Sequence, residues 1–422
     1  MNLSIKNFFR FIRNNAYLLI LKRIIPTFVL RLISRRRCVP AQIQVVNNSV
    51  QKANSGVEIT PFKYGADGCL CISIDFEMGL GMRYVAPSLA NSFAKLEREN
   101  TEGILKVFDD FLIPATWAIT GHLFLDKCRR DRNSGLAHPD MPRIGFHKNE
   151  IWNYSRGDWY DGDPCSSWEK NKIWYAPDLI ENILNSKPAH EIATHSFSHI
   201  DFSNCSDRIA FAEVSKCKEL TERIGKPLLS MVFPGNFIGN LKTLSQLGLL
   251  SYREGGQGLI QYPVKTSFDL WNIPASMQLA GRLREKELRS TIEESLSKAI
   301  EAKGVFHLWF HPFEVDKQTI KRVLAPVLSF ADTRRKQKKL WIATMADIAN
   351  YCSLRESCDF KVEDSGSGKI DIVLKGKAPY GGGQLSIKVP RSREVTINGN
   401  TLSDYQYYES GQSYVVTVEL NQ

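Results

Sequence analysis

The feature that most constrains the fold of this 422-residue sequence is an alternation of short apolar runs with amphipathic stretches. Short apolar runs predict buried strands, and longer stretches with a 3.6-residue period predict helices. The strand-like runs lie at residues 69–74, 115–119, 191–194, 228–233, 270–273, 305–310 and 340–344. The helical patterns lie at 93–111, 177–184, 207–224, 241–247, 285–302 and 317–338. About seven such units predict an α/β fold, an irregular (β/α) barrel with a parallel sheet.

Changes in the charge and in the apolar periodicity of the sequence divide the chain into four predicted regions. These are a basic amphipathic segment at 1–38, a linker at 39–60, a barrel at 61–355 with an insertion at 121–176, and a small β-sandwich-like domain at 356–422. The last region is assigned from period-two runs separated by Gly and Asn-Gly turns. The insertion is rich in Trp, Tyr, Asp, Gly and Pro, and a loop of this length inside a compact domain is usually functional.

Residues 1–38 contain nine Lys or Arg and no acidic residue, which accounts for nearly all of the formal net charge of +10. The rest of the chain is almost neutral and has no recognition motif, so a nucleic acid is not an expected partner. Charges interrupt the apolar clusters of this segment well before the ~20 residues that a spanning helix needs. We expect a peripheral contact with an anionic membrane surface, and a disordered or misassigned start is the alternative. The nine cysteines form no CxxC pair, and no secretory signal is evident, so a cytoplasmic location on the inner membrane is expected.

Carboxylate and imidazole side chains follow three of the predicted strands. Asp75 and Glu77 close the first strand, His195 and His199 follow the strand at 191–194, and His311 follows the strand at 305–310. Active sites of β/α barrels collect at the carboxyl ends of the strands. The sequence therefore predicts that these five residues form one site.

Two His-x-x-x-His pairs occur, and geometry distinguishes them. On a helical turn, His195 and His199 would have their Cβ atoms ~6 Å apart, which allows them to share one metal ion. His307 and His311 lie along a strand, where four residues span ~13 Å. The first pair is therefore the predicted metal site, and His307 is predicted to be a core or wall residue.

Two imidazoles and one carboxylate leave coordination positions open, as in a catalytic metal site. A second carboxylate can act as a base on the attacking water, and a separate histidine can protonate a leaving amine. This chemistry would suit the hydrolysis of an amide.

The order Asp-x-Glu, His-Ser-x-x-His, Phe-Pro-Gly and a late strand-end histidine resembles the polysaccharide deacetylases of carbohydrate esterase family 4. The resemblance implies that Asp75 is the catalytic base and that His195 and His199 are metal ligands. It also implies that Glu77 is the third ligand and that His311 is the general acid. The ion usually bound by the family is zinc, so a divalent metal, Zn²⁺ above all, is the implied cofactor.

The sequence, which resembles the family over about residues 68–351, departs from the family pattern at the first, third and fourth motifs. The Asp and Trp of the fourth motif are only loosely echoed by Asp269 and Trp271, and Trp271 is expected to pack in a strand. Phe76 separates two acids that are commonly adjacent, which leaves open how Asp75 and Glu77 divide their roles. Val232 stands where the third motif usually carries an arginine that orients the base. Asn236 is either a donor to the developing oxyanion or the base, or simply a turn residue after Pro-Gly.

Further residues are predicted to bind the substrate. They are Pro234, Asn236, Asp158, Trp159 and Tyr175. Three of them belong to the insertion at 121–176, which would lie over the barrel mouth and could line a sugar groove. The alternative is a structured lid that packs on itself.

The expected function is a metal-dependent hydrolase that removes an N-acyl group, expected to be N-acetyl, from an amino sugar in a polysaccharide or lipid-linked glycan. A bacterial cell-envelope glycan fits the expected membrane contact. Two alternatives stay open: a catalytically inactive carbohydrate-binding protein on the same barrel, and a metal-dependent amidase that acts on a small-molecule amide.

Overall fold

The computed structural model describes residues 44–46, 56–83, 88–149, 151–255, 258–279 and 284–420. The predicted basic segment 1–38 and most of the predicted linker 39–60 lie outside these residues. Within the described part of the chain, no helix combines the length and the apolar character that crossing a membrane requires.

Strands and helices alternate along the described chain as far as residue 357. The strands are β1 Gln44–Val46, β2 Glu58–Ile59, β3 Gly68–Phe76, β4 Thr116–Ile119, β5 His147–Lys148, β6 Asn153–Tyr154, β7 Glu191–Thr194, β8 Ser230–Val232, β9 Ser251–Arg253, β10 Leu259–Gln261, β11 Val264–Lys265, β12 Trp271–Asn272, β13 Met277–Gln278, β14 Val305–Phe310, β15 Leu340–Ala343, β16 Asp359–Asp364, β17 Lys369–Lys375, β18 Gly383–Pro390, β19 Glu394–Ile397, β20 Asn400–Thr401, β21 Gln406–Ser410 and β22 Ser413–Leu420. The α-helices are α1 Met78–Met82, α2 Ala90–Phe111, α3 Pro177–Leu184, α4 Asp207–Arg223, α5 Leu241–Gln246, α6 Glu285–Ala302, α7 Lys317–Thr319, α8 Ala325–Lys336 and α9 Met345–Ser357.

The barrel is a curled sheet in which β14, β3, β4, β7, β8, β9 and β12 are neighbours in that order. Each of these neighbouring pairs is parallel, and β15 also pairs with β3 in parallel. All nine residues of β3 are buried. Burial of both faces explains why this strand is a continuous apolar run without alternation. The predicted irregular barrel is confirmed, and all seven predicted runs are strands of its sheet.

Five strands of the described sheet were not predicted: β1, β9, β10, β11 and β13. Of these, only β9 belongs to the parallel path given above. β9 spans only three residues, Ser251–Arg253, and lies between β8 and β12 in the sheet. A run of this length has too few residues to establish a period. The helical pattern at 317–338 also differs from the prediction, because a π-helical segment, Ile320–Leu324, separates α7 from α8.

The C-terminal region is all-β, as predicted, and consists of two four-stranded sheets. One sheet has the order β16-β17-β19-β20, and the other has the order β2-β18-β22-β21. The apolar side chains of both sheets share a core with the base of the barrel and with α9. Strand β2 comes from the end of the predicted linker, since Ile59 pairs with Ile387 of β18 and is 5% exposed.

The insertion at 121–176, here called the lid, contains little regular structure. Its described elements are a 3₁₀ turn at Gly121–Phe124 and the two-residue strands β5 and β6. Tyr154, Trp159 and Tyr160 of the lid are buried in a cluster that includes Phe197 of the loop after β7. The lid therefore packs on the loop that carries the predicted metal ligands.

Candidate active site and metal centre

Asp75 and Glu77 lie at the carboxyl end of β3, and a helix beside them fixes the backbone at this point. The Glu97 side chain on α2 accepts hydrogen bonds from the backbone N–H groups of Glu77 and Met78, both at 3.0 Å. Met78 has a φ of 47°, a left-handed conformation that costs a β-carbon-bearing residue free energy. The buried Glu97 carboxyl group holds this turn, and the turn directs Glu77 toward the histidines after β7.

The side chains of Glu77, His195 and His199 converge as the sequence predicts. Glu77 Oε2 lies 2.6 Å from His199 Nε2 and 3.3 Å from His195 Nε2. One ligand atom from each residue lies within 4.8 Å of the others, and all three side chains are buried. Burial opposes ionisation of Glu77, but the neighbouring imidazoles, His199 first, hold the pKa of this carboxyl well below its usual value. The three residues offer an ionised oxygen and two ring nitrogens to one point.

The orientation of the rings fits metal ligation. His195 Nδ1 lies 2.8 Å from the carbonyl oxygen of Val232, so a proton on Nδ1 is donated there and Nε2 keeps its lone pair. His199 Nε2 is buried and is close to Glu77 without the angles of a hydrogen bond. A buried ring nitrogen in this position is well placed as a metal ligand.

The helical turn predicted for residues 195–199 is wrong, although the two rings do meet. The segment is an irregular loop in which Ser196 and His199 have φ values of 62° and 58°. The Thr194 hydroxyl accepts the N–H of Ser196, and the Ser196 hydroxyl accepts the N–H of Ile200. The two left-handed residues therefore bring the ring centroids of His195 and His199 to within 5.0 Å of each other without a helical turn.

Asp75 is held by an arginine that the sequence analysis missed. Arg253, at the end of β9, donates to both carboxylate oxygens of Asp75 at 2.6 and 2.7 Å. Both side chains are almost fully buried. Burial would raise the pKa of Asp75, but the Arg253 guanidinium outweighs it and the pKa lies below its usual value. Asp75 is therefore ionised at neutral pH, as a base must be, and its orientation is fixed.

His307 is a core residue, as predicted. Its Nδ1 lies 3.0 Å from the carbonyl oxygen of Ile273, and its Nε2 lies 2.8 Å from Ser73 Oγ. Burial, with a smaller contribution from Arg253, lowers the pKa of His307 to about 3. The ring is neutral and supports Ser73, which in turn accepts a hydrogen bond from Arg253 at 2.9 Å.

His311 reaches the site from the opposite side. Its Nε2 lies 3.5 Å from Glu77 Oε1 and 4.0 Å from Asp75 Oδ2, and its Nδ1 lies 3.1 Å from Glu314 Oε2. Gln278 donates to both oxygens of Glu314 and so fixes that carboxylate. Burial would lower the pKa of His311, but the carboxylates, Glu314 above all, raise it to about 10. A protonated imidazole therefore faces the two acids.

A protein-family model matches the middle part of this barrel. The polysaccharide deacetylase family model matches residues 83–250. This segment belongs to the polysaccharide deacetylase family. The match contains His195, His199 and Asn236, while Asp75, Glu77 and His311 lie at strand ends outside it. No curated protein matches the sequence of the chain.

Three solved structures resemble this chain at low sequence identity. A protein assigned as a polysaccharide deacetylase from Mycobacterium smegmatis is 13% identical, with a TM-score of 0.50, over 72% of this chain and 94% of the other. Another from Pseudomonas aeruginosa PAO1 is 13% identical, with a TM-score of 0.48, over 69% and 92%. PuuE allantoinase is 14% identical, with a TM-score of 0.47, over 69% and 92%.

The predicted substrate-binding residues differ in whether their polar atoms and rings are already used in contacts within the protein. Pro234 and Asn236 form a 3₁₀ turn after β8, and Asn236 Oδ1 is buried without a hydrogen-bond partner among the described residues. Trp159 is 1% exposed and donates to the carbonyl oxygen of Ser198. Tyr175 is fully buried. Both lid rings are therefore occupied in packing, and Asn236 has a polar atom left to bind a ligand.

Asp158, the remaining predicted substrate contact, shapes a turn of the lid. Its carboxylate accepts the N–H of Tyr160 at 2.9 Å and lies 3.3 Å from Arg143. It is about one-fifth exposed in its side chain. The carboxylate therefore has a structural role in the lid, and a substrate contact for it stays a prediction.

Three residues that position the site were missed, and two of them left a signal in the sequence. Arg253 ends a short apolar run, and a buried arginine at a strand end requires a carboxylate partner. Glu314 stands three residues after His311, the spacing of a capping interaction, and its carboxylate accepts the backbone N–H of His311 at 3.0 Å. Glu97 lies in an amphipathic helix pattern and gave no signal.

Proposed function

We propose that this chain is a metal-dependent hydrolase that removes an N-acyl group, N-acetyl in the first instance, from an amino sugar of a glycan. The observation that supports this most is the convergence of Glu77, His195 and His199 beside an ionised Asp75 and a protonated His311. Membership of the polysaccharide deacetylase family favours a hydrolase of carbon–nitrogen bonds and a glycan substrate.

Glu77, His195 and His199 would hold the metal ion. Two neutral imidazoles and one carboxylate suit zinc, and they leave positions open for ligands that are not protein. When bound, the ion supplies Lewis-acid polarisation of the amide carbonyl and lowers the pKa of water. The buried ring nitrogen of His199 and the hydrogen bond from His195 to Val232 support this assignment.

Asp75 would act as the base. Its carboxylate is ionised and lies beside Glu77, where it can accept a proton from the water that attacks the amide carbon. The bidentate contact with Arg253 prevents rotation of the carboxylate. The orientation of the base therefore does not have to be gained during the reaction.

His311 would act as the acid. An amide nitrogen is a poor leaving group until it gains a proton, and His311 carries that proton at neutral pH. Its Nδ1 faces Glu314, so Nε2 is the atom that faces the site. Its side chain is 16% exposed, which leaves it accessible to a substrate at the barrel mouth.

The substrate would be a glycan, and the contact with it would include Asn236. The Oδ1 of this residue, which has no partner within the described part of the chain, would accept a hydrogen bond from a sugar hydroxyl or amide N–H. A bacterial envelope glycan handled at the cytoplasmic face of a membrane fits the nine basic residues of segment 1–38. That segment lies outside the described residues, so its contribution is part of the proposal.

The test is deacetylation of N-acetylglucosamine oligomers by the full chain, with acetate and free amine measured before and after metal removal. We expect turnover that is lost with chelation and restored by Zn²⁺, Co²⁺ or Mn²⁺. His195→Ala should lose both metal and activity. His190→Gln is the matched control, because His190 precedes β7 at the opposite end of the strand from His195.

Each of the other results identifies another function. Turnover of a small cyclic or acyclic amide without turnover of amino sugars would establish an amidase. Saturable binding of the oligomers by the metal-loaded protein without acetate release would establish a carbohydrate-binding protein. Either result would overturn the proposed deacetylase activity.

A further inference from the structure

The lid contains a second group of side chains with metal-ligand chemistry, separate from the catalytic set. His122, Cys128, His138 and Asp163 each offer one ligand atom, and these atoms lie within 4.8 Å of one another. Three of the four side chains are buried, and Cys128 is partly buried. The four residues are distant in the sequence but meet at one point of an insertion with little regular structure.

The contacts within the group converge on a single oxygen atom. Asp163 Oδ2 lies 2.7 Å from His138 Nε2, 2.8 Å from His122 Nε2 and 3.2 Å from Cys128 Sγ. Three groups that can each act as donor or ligand therefore approach one carboxylate oxygen. The same pattern occurs at Glu77 Oε2, where two histidine Nε2 atoms of the family-implied metal site converge.

Surrounding hydrogen bonds orient these ligand atoms. His122 Nδ1 lies 2.9 Å from the carbonyl oxygen of Trp174, so a proton on Nδ1 is donated there and Nε2 is the ring nitrogen directed at Asp163. The other oxygen of Asp163, Oδ1, accepts the N–H of Cys165 at 2.8 Å and contacts the Tyr175 hydroxyl at 3.3 Å. Asp163 Oδ2 is thereby directed at the two imidazoles and the thiol.

We propose that His122, Cys128, His138 and Asp163 bind a structural zinc ion that fixes the lid. One thiolate, one carboxylate and two neutral imidazoles balance the charge of Zn²⁺, so the buried site would be neutral. Four protein ligands complete a tetrahedron and leave no open position, which distinguishes a structural ion from a catalytic one. The mixed sulfur and nitrogen set favours zinc over magnesium or calcium, which prefer oxygen ligands.

The site would connect the lid to the loop of the catalytic ligands. His122 follows β4, and its N–H donates to the carbonyl oxygen of Phe197, while Gly121 N–H donates to that of Ser196. The other three ligands come from later parts of the lid. A bound ion would therefore tie three turns of the lid to a barrel strand end, next to the loop that carries His195 and His199.

X-ray absorption of the zinc-loaded full chain tests the proposal without any mutation. The catalytic set contains no sulfur, and among the described residues the lid group is the metal-ligand cluster that contains a cysteine, so a sulfur neighbour of zinc at about 2.3 Å would identify the lid site. Elemental analysis should give two ions per chain, one for each group. One ion with only nitrogen and oxygen neighbours would overturn the proposal and leave the catalytic site intact.

Cobalt substitution assigns the ligands. The Co²⁺-loaded protein should show sulfur-to-cobalt charge transfer in the near ultraviolet, and Cys128→Ala or Asp163→Asn should abolish or shift it. His195→Ala should keep this band and lose one ion, which separates failure of the lid site from failure of the catalytic site. Cys205→Ala is the matched control, since its thiol contacts the Phe202 carbonyl outside both groups.

Two experimental results would show that the lid group does not bind zinc. Cys165 lies close enough to hydrogen-bond with Cys128, so a disulfide between them, seen as the loss of two free thiols in the non-reduced protein, would exclude the thiolate ligand. A chain that binds one ion and melts at the same temperature with and without chelator would identify a metal-free cluster of hydrogen bonds.

Discussion

Arg253→Met tests whether the ion pair beneath the proposed base is needed for folding as well as for orientation. Asp75 and Arg253 expose 4% and 1% of their side chains and are joined by two hydrogen bonds. Removal of one partner of a buried pair costs about 3–5 kcal/mol, because the other charge stays buried without compensation. In the variant, Asp75 can instead take up a proton and become neutral. At pH 7 this costs about 4 kcal/mol for a carboxyl of ordinary pKa ~3.9, so the loss of stability cannot greatly exceed that value.

The pH dependence of this loss follows from the pKa of Asp75. In the wild type its pKa is lowered, so Asp75 stabilises the fold above its unfolded pKa, and this stability is lost as pH falls through the folded pKa. Without Arg253, burial raises the pKa of Asp75 instead. The cost of Arg253→Met should therefore be about 3–4 kcal/mol at pH 7 and smaller near pH 5.

Urea denaturation at both pH values measures this cost, with Arg322→Met as the matched control. Arg322 pairs with Glu285 at 3.0 Å on the surface, where such a pair contributes at most about 1 kcal/mol. Asp75→Asn combined with Arg253→Met should cost less than the sum of the two single changes. A loss for Arg253→Met as small as that of the control, or one that grows at low pH, would refute this reasoning.

Three further predictions concern catalysis, metal binding and location. His311→Ala should lower kcat by about 10²- to 10⁴-fold with normal metal content, since it removes a general acid. The control is His147→Ala, which removes a lid histidine. An unchanged kcat for His311→Ala would show that another residue is the general acid. Gly81→Ala should weaken metal binding because a Cβ there would collide with the carboxyl group of Glu77. In the control Gly103→Ala, the added Cβ meets only the end of a flexible side chain at 3.0 Å, so metal affinity should not change. Equal metal affinity of both variants would contradict this prediction. Deletion of 1–38 should release the protein from anionic vesicles and leave turnover of soluble oligomers intact, and continued binding to vesicles would disprove the expected membrane role.

Several parts of the candidate site could be predicted because they depend only on local pattern and on the topology of a parallel sheet. Asp75 lies at the end of β3, and Glu77, His195 and His311 each follow a strand whose apolar run is visible in the sequence. The carboxyl ends of parallel strands meet at one face, so side chains in these positions approach each other without any knowledge of their contacts.

The local path of the chain was less predictable. The spacing of His195 and His199 predicted a helical turn, but the loop reaches the same convergence with two left-handed residues. Ligand spacing limits which atoms can meet, while the hydrogen bonds of Thr194 and Ser196 determine how the backbone brings them there. The sequence therefore predicts correctly that His195 and His199 meet, but not the backbone conformation that brings them together.

By itself, the sequence determined the fold class, the strand-end positions of the reacting groups and the resemblance to deacetylases. Only the tertiary structure decided that Arg253 faces Asp75 across 178 residues of chain and that four lid residues meet around Asp163. Apolar periodicity reports burial along one element, because each buried strand or helix must repeat its apolar face. A buried charge has no such repeat. Its partner is chosen by distance and burial in the folded protein, which the order of residues along the chain does not contain.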